Sequence, residues 1–208
     1  MYIPRHNRIE DQAKIAAFMR GNSFAALISI LDGVPWATHI PILVEEDDNG
    51  LTLVGHLAKA NPHWKAFGEG ETLAIFSGPH AYISPRLYDT KESVPTWNYA
   101  AVHAYGIPQP IATGEAQEKI EAIMAKTFEA YEPAFKSQYE RLSDKYRVGL
   151  LHGVVGFEMP VTRLEARFKL SQDKSEAVQE RVAKSLLDKP DTAAGRIGEM
   201  MLDNLGDD

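Results

Sequence analysis

The sequence predicts a mainly β protein with helices, an α+β fold with a helical insert and a helical C-terminal tail. Three observations lead there. Short apolar runs recur through the first half of the chain, with turn signals about every ten residues. Helical periodicity takes over at 113–151 and returns after residue 176. Between those helical stretches, 154–170 is again apolar and strand-like. The pattern alone fits a barrel or a sandwich.

Taken in order, residues 10–20 read as a short helix with Ile15, Phe18 and Met19 on one side, ended by Gly21-Asn22. Residues 24–31 form a compact apolar strand. Asp32-Gly33 makes a tight turn, and 34–44 return as a second strand. An acidic turn over 45–50 leads to a third strand at 51–57. Asn61-Pro62 opens a helix of one to two turns through Phe67. Residues 72–76 read as a strand, Gly78-Pro79 as a turn and 80–83 as a further strand. Residues 84–96 have no period and read as a loop, and 97–105 as a strand. Residues 107–113 form an edge segment interrupted by proline, which cannot donate to a ladder.

Residues 113–131 are then helical, with Ile120, Ile123, Met124 and Phe128 on one face. Glu132-Pro133 breaks that helix, and 135–151 hold one or two more. Strand returns at 154–164 and 167–170. Val178, Val182 and Leu186 mark a helix over 176–187, which Lys189-Pro190 interrupts. A last helix carries Ile197, Met200, Met201 and Leu205. The expected organisation is a barrel domain over 1–172, including the insert at 113–151, and a helical extension over 173–208 packed on it.

Bulk composition narrows the function. The chain has 208 residues, 44% apolar and 25% charged, as in ordinary soluble domains. With no cysteine it forms no disulfide, thiolate zinc site or thiol nucleophile, and it suits the cytoplasm. No apolar core follows the charged start, so no secretion signal is expected. No segment approaches the roughly 20 apolar residues of a membrane span. The net charge of −7, from 22 basic and 29 acidic residues, argues against direct DNA binding. There is no helix-turn-helix signature, and 163–189, with seven basic and five acidic residues, is too mildly biased to form a basic patch.

Residues 36–106 hold all three tryptophans and five of the seven histidines, with four basic and eight acidic residues. A nucleic-acid groove would need the opposite balance. Aromatic, amide and imidazole groups together suit a flat, polar-edged heterocycle, though the same residues also serve simply to fill a barrel. Within this stretch Gly55-His56-Leu57-Ala58-Lys59-Ala60-Asn61-Pro62 leaves a strand, passes small residues and enters a helix. A helix start favours an anion, and Lys59 adds a positive charge, so a phosphate fits there; an ordinary capped helix beside a solvated lysine fits as well. Further on, Trp97, Tyr99, His103 and Tyr105 share one strand face, and Asn98, Ala100, Val102 and Ala104 share the other. The aromatic face is either a hydrogen-bonding binding surface or a core face. No His-Glu-x-x-His, Gly-x-Ser-x-Gly or Gly-rich phosphate loop is present, which argues against a metallohydrolase, a serine hydrolase and a nucleotide-binding loop.

Five blocks occur in order: Ala37-Thr38-His39-Ile40-Pro41, residues 55–62 as quoted, Gly78-Pro79-His80-Ala81-Tyr82-Ile83-Ser84-Pro85, Pro95-Thr96-Trp97-Asn98-Tyr99 with Val102-His103, and Phe168-Lys169-Leu170-Ser171-Gln172. Together they resemble the PaiB-like family of FMN-binding negative transcriptional regulators, over residues 1 to about 180. The resemblance implies a split β-barrel of six to eight strands, of the FMN-binding type seen in pyridoxamine-phosphate oxidases. It also implies a cytoplasmic bacterial homodimer with two flavin sites at its interface, and a role in repressing protease and sporulation genes. It places Thr38, His39 and Ile40 at the isoalloxazine edge, and Leu57, Ala58, Lys59 and Asn61 at the ribityl phosphate. Trp97, Asn98 and Tyr99 would close the ring site from the partner subunit, and Lys169, Ser171 and Gln172 would complete a polar wall. The chain departs from the pattern at Ala166-Arg167, where Gly-Lys is expected, and at Asp173, where asparagine is usual.

The resemblance leaves function between a regulator that uses flavin as ligand or redox sensor and an FMN-dependent oxidoreductase acting on a small molecule. A flavin pocket alone does not separate the two. His39, His56 and His103 are candidate proton donors, with no catalytic residue identified. A split barrel that has lost its cofactor and serves as an interaction module is a third reading, and haem is the alternative cofactor for a histidine-rich face.

Overall fold

The computed structural model describes residues 1–90, 92–111, 117–188 and 192–206. In chain order its elements are β1 (Arg8–Ile9), α1 (Gln12–Gly21), β2 (Phe24–Leu31), β3 (Val34–Asp47), β4 (Gly50–Ala58), β5 (Thr72–Ile83), β6 (Thr96–Gly106), β7 (Gln109–Ile111), α2 (Gln117–Tyr131), α3 (Lys136–Tyr139), α4 (Asp144–His152), β8 (Val154–Lys169), α5 (Glu176–Leu187) and α6 (Ala193–Gly206). The sheet order is β1-β8-β4-β3-β2-β5-β6, with β7 also on β8. β6 pairs with β8 as well, so the order returns on itself.

The chain forms two compact units, one of Met1–Phe18, Ser77–His103 and Glu165–Asp208, the other of Met19–Phe76 and Ala104–Leu164. The second unit is built on the β2–β3 hairpin. Asp32 (φ 53°) and Gly33 (φ 77°) both adopt the left-handed region, as a primed two-residue turn requires. That turn sets a register running from Leu31 opposite Val34 to Phe24 opposite Pro41. Ala25, Leu27 and Ser29 then face inward, as does Ile40. Leu53 on β4, Phe76 on β5, and Phe157 and Met159 on β8 are also fully buried. The α2 face read from sequence splits its duties. Ile120 and Ile123 pack with Val54, Ile111 and Leu151, and Met124 lies at the margin of that cluster. Phe128 instead meets Phe135 at 5.0 Å and Tyr139 at 4.9 Å between ring centres. The start of this helix, read from sequence at residue 113, lies outside the described residues, as does Lys189-Pro190.

In the first unit α5 buries Val178, Val182 and Leu186, at the predicted spacing. α6 lies close against it. A Cβ on Gly198 would come within 2.9 Å of the Ala183 carbonyl oxygen.

Two elements differ from the sequence reading. Residues 72–83 form one strand, without a turn at Gly78-Pro79. Gly78 is there for close packing: a Cβ would lie 2.5 Å from Phe18 Cζ and 3.2 Å from the Ala100 carbonyl oxygen. Pro79 lies past the end of the β2 register, which covers Leu73, Ala74 and Ile75, so its missing N–H costs that ladder nothing. β8 likewise runs unbroken through Glu165-Ala166, because Ala166 pairs with Ile9 and Arg167 with Arg8 of the two-residue β1. The charges that disguised the strand are engaged at its outer positions: Glu165 binds the Met1 ammonium, and Arg167 donates to the Tyr2 carbonyl at 2.9 Å. The helix of one to two turns read after Asn61-Pro62 is present, as a 3-10 helix of five residues, Pro62–Ala66. Among the described residues no helix is long and apolar enough to cross a membrane.

Gly106 tests the packing. A Cβ there would sit 2.2 Å from the Pro160 carbonyl oxygen, a backbone atom, and 2.9 Å from Met159 Cγ. Gly106→Ala is expected to cost about 3 kcal/mol in urea unfolding. Gly33→Ala, strained in φ but facing open space, should cost about 1 kcal/mol.

Candidate functional site

The candidate residues fall into two groups, one in each unit. In the second unit β4 ends at Ala58, and the chain turns through Lys59-Ala60-Asn61 into the Pro62–Ala66 helix. Asn61 caps this helix, its side-chain oxygen accepting from the His63 backbone N–H at 3.1 Å. The amide orientation is thereby set, and Asn61 Nδ2 donates to Thr38 Oγ1 at 3.0 Å. Thr38 Oγ1 also meets His63 Nδ1 at 2.8 Å. The opposite ring nitrogen, His63 Nε2, meets Ser29 Oγ at 2.9 Å, and Ser29 Oγ meets Thr72 Oγ1 at 2.7 Å. One buried polar line thus joins β5, β2, the 3-10 helix and β3. His63 and Thr72 are 0% exposed and Ser29 is 4% exposed.

On the Thr38 side, Trp36 is exposed, as are Ala58 and Lys59 in the turn before Asn61. His39 alternates to the opposite face of β3, where its ring lies 6.4 Å from that of Phe24, so the structure does not bring it together with Thr38. Lys59 forms no ion pair among the described residues. Its backbone is held at both ends: its N–H donates to the Gly153 carbonyl at 2.8 Å, and its carbonyl accepts from Trp64 Nε1 at 3.0 Å. Ile40 and Leu57 are turned into the core at 8% and 3% exposure, so they offer the rim only backbone groups. The helix after Asn61 is too short for an axial dipole to attract an anion, which leaves Lys59 as the cation of this rim.

The first unit holds the other group. On β6 the small face is the buried one, with Asn98, Ala100, Val102 and Ala104 inward and the aromatic residues at least partly exposed. Trp97, 53% exposed, stands 5.9 Å from His80 and 6.0 Å from Tyr82 between ring centres. This makes an open aromatic ledge. The Arg167 guanidinium lies 5.2 Å from the Tyr99 ring centre. Asn98 points the other way. Its Nδ2 donates to Ser171 Oγ at 3.0 Å and to Met201 Sδ at 3.5 Å, and Ser171 Oγ donates back to its Oδ1 at 3.3 Å. Ser171 has φ 66°, a left-handed conformation unusual for serine, and this paired bond holds it there. Lys169 Nζ donates to Thr96 Oγ1 and to the Trp97 carbonyl. Gln172 bridges its own loop, accepting from Leu170 N at 2.7 Å and donating to the Phe168 carbonyl at 2.6 Å.

Burial sets the electrostatics. It lowers the pKa of His63, and likewise of His56, so both favour the neutral ring. Burial, then repulsion from Arg167, lowers Lys169. Burial raises Asp173, but the hydrogen bond and charge of Lys174, at 2.9 Å, outweigh it and leave the carboxyl below its ordinary value. The acid that departs from the family pattern is therefore already paired.

His63, Ser29 and Thr72 escaped the sequence reading. Ser29 shares the inward parity of Ala25 and Leu27, and a hydroxyl at a core position of an apolar strand is the signal that could have found it.

Comparison with known proteins places this geometry. Residues 1–163 match the family model described as "Putative FMN-binding domain". The chain belongs to that family. The family match spans the whole Thr38, Lys59 and Asn61 rim and stops within β8, before the 168–172 block. The chain is also 36% identical over 208 residues to Protease synthase and sporulation protein PAI 2 of Bacillus subtilis strain 168, covering 99% of this chain and 98% of that protein. Two solved structures share the fold. The flavocytochrome Anf3 from Azotobacter vinelandii aligns with TM-score 0.62 at 16% identity, covering 80% of this chain and 72% of that one. The FAD and heme binding protein from Mycobacterium smegmatis aligns with TM-score 0.59 at 14% identity, covering 78% and 73%. The antiparallel sheet of this FMN-binding-domain family member is of the split-barrel type.

Two outcomes follow from the site geometry. Asn98→Ala leaves Ser171 Oγ buried without its partner and is expected to lower stability by about 1–3 kcal/mol in urea unfolding. His63 and His56 have folded pKa values below the ordinary 6.5. Their contribution to stability is thus complete above pH 6.5 and is lost as pH falls from there through the lowered folded values. The urea midpoint should drop between pH 7.5 and 5, and His56→Gln should flatten that drop.

Proposed function

We propose that this protein is an FMN-binding regulator that works as a homodimer, with flavin as its ligand or redox sensor. The carrying observation is that the FMN-binding family match spans a rim where Asn61 meets Thr38 and the turn just before Asn61 exposes Lys59. The donor set suits FMN. Lys59, exposed and in no ion pair among the described residues, offers an ammonium to an anionic phosphate, and Ala58 leaves room beside it. Thr38 offers a hydrogen bond to a heterocycle edge, and the exposed Trp36, on the same face of β3, offers a ring face. Bound FMN would supply the redox chemistry. The chain's own part is to hold, orient and shield it. Trp97 and Tyr99, on the exposed ledge of the first unit, would cover the flavin of the other subunit. Asn98, Ser171 and Gln172 would support that ledge from within.

A second copy of the chain is the occupant we assign to the outer face of β2, β3 and β5. That face presents Phe24, Ala26, Ile28 and Ile30 opposite Pro41, His39, Ala37 and Pro35, with Leu73 and Ile75 beside them. Phe24 and Ile30 are 68% and 59% exposed. A contiguous apolar sheet face of this kind marks an association surface. The relative PAI 2 carries a name linked to protease synthesis and sporulation, and control of such genes is the biological role we assign here. With its net negative charge, the protein would act on transcription through a protein partner rather than through tight DNA contact.

Visible absorption of the purified protein with added FMN, followed by NADH or NADPH, tests the reading. Shifted flavin bands that persist after the pyridine nucleotide support a regulator. Prompt bleaching and turnover would make it an oxidoreductase, and a Soret band would make it a haem protein. Lys59→Ala should weaken FMN binding about ten- to a hundredfold with the unfolding midpoint unchanged. Ile30→Asp should convert the dimer to monomer in sedimentation velocity.

A further inference from the structure

The buried polar line ending at Thr38 has only one low-cost arrangement of its hydrogens. Asn61 Nδ2 must donate to Thr38 Oγ1, because Asn61 Oδ1 already accepts from the His63 backbone N–H. The remaining freedom lies in the His63 ring. If Nε2 carried the proton, it would donate to Ser29 Oγ. Ser29 and Thr72 would then share one contact between two hydroxyl hydrogens. One of those hydrogens would be left without an acceptor among the described residues, inside the core. Such an unmet donor costs about 1–3 kcal/mol. If Nδ1 carries the proton instead, every buried hydrogen is used. Thr72 donates to Ser29, Ser29 donates to His63 Nε2, and His63 Nδ1 donates to Thr38. Thr38 then accepts twice, from His63 and Asn61, and its own hydrogen points to the only place left, the half-buried rim.

From this we infer that His63 is a positioning residue that commits Thr38 to act as a hydrogen-bond donor, so that the rim accepts a heterocycle edge presenting a carbonyl oxygen or an unprotonated ring nitrogen and rejects one presenting N–H. The inference rests on the flavin reading for the identity of that heterocycle. The polarity of Thr38 follows from the protein alone. Burial supports it by favouring the neutral imidazole that the arrangement requires. A donor whose hydroxyl is already oriented needs no rearrangement when a ligand arrives, and a wrong partner leaves a buried polar group unpaired.

The test has two arms. In the ligand-free protein, 15N NMR of ring-labelled histidine reads the His63 tautomer at neutral pH. A protonated Nδ1 is expected, and a protonated Nε2 overturns the inference. In the second arm FMN is titrated into wild type, Thr38→Ser and Thr38→Val. Serine keeps the hydroxyl and should retain affinity, whereas valine should lose about tenfold. Equal affinity of the valine variant and wild type overturns the donor role. If wild type takes up no FMN while Nδ1 carries the proton, the flavin reading fails and the donor polarity of Thr38 stands.

Discussion

The buried hydrogen-bonded line Thr72–Ser29–His63–Thr38–Asn61 is the constraint on which the candidate site depends. It crosses the inside of the second unit and fastens a five-residue 3-10 helix to three strands. A helix that short has little stability of its own. Its place is set by the Asn61 cap, by Trp64 on the Lys59 carbonyl, and by the imidazole inserted beneath it. Buried polar groups are costly unless every one is satisfied, and satisfied networks favour one arrangement over all others. Here satisfaction reaches as far as the hydroxyl at the rim, so that core chemistry and surface chemistry are one system.

The first unit shows the same division between what is spent and what is offered. Asn98, Ser171 and Gln172 use their polar atoms on one another and on nearby backbone. That internal bonding supports the strand from which Trp97 and Tyr99 project. Its aromatic ledge, with His80 and Tyr82 beside Trp97, stays exposed. Residues grouped together by family resemblance thus divide physically into exposed groups and internally bonded ones.

Much of the fold was legible in the sequence, for definite reasons. The β2–β3 hairpin combines two apolar runs with Asp32-Gly33, whose backbone only a primed turn explains. The α5 face was readable because Val178, Val182 and Leu186 repeat at helical spacing. Gly78-Pro79 misled because glycine serves both turns and close packing, and only the third dimension shows Phe18 against it. The middle of β8 was hidden because charged side chains on outer positions hold the first two residues rather than break the strand. At the site, Thr38, Lys59 and Asn61 came from motif order. His63, Ser29 and Thr72 did not, since a polar residue on an inward parity acquires meaning only when its partner is seen.

The central claim is that FMN sits on the rim formed by the β3 segment at Thr38 and the turn after β4. Hydrogen-exchange mass spectrometry of the full chain, with and without saturating FMN, tests it most directly. The account predicts protection concentrated at backbone amides of 37–40 and 57–63, on the face supported by His63. Unchanged exchange across both segments while FMN is bound would contradict it.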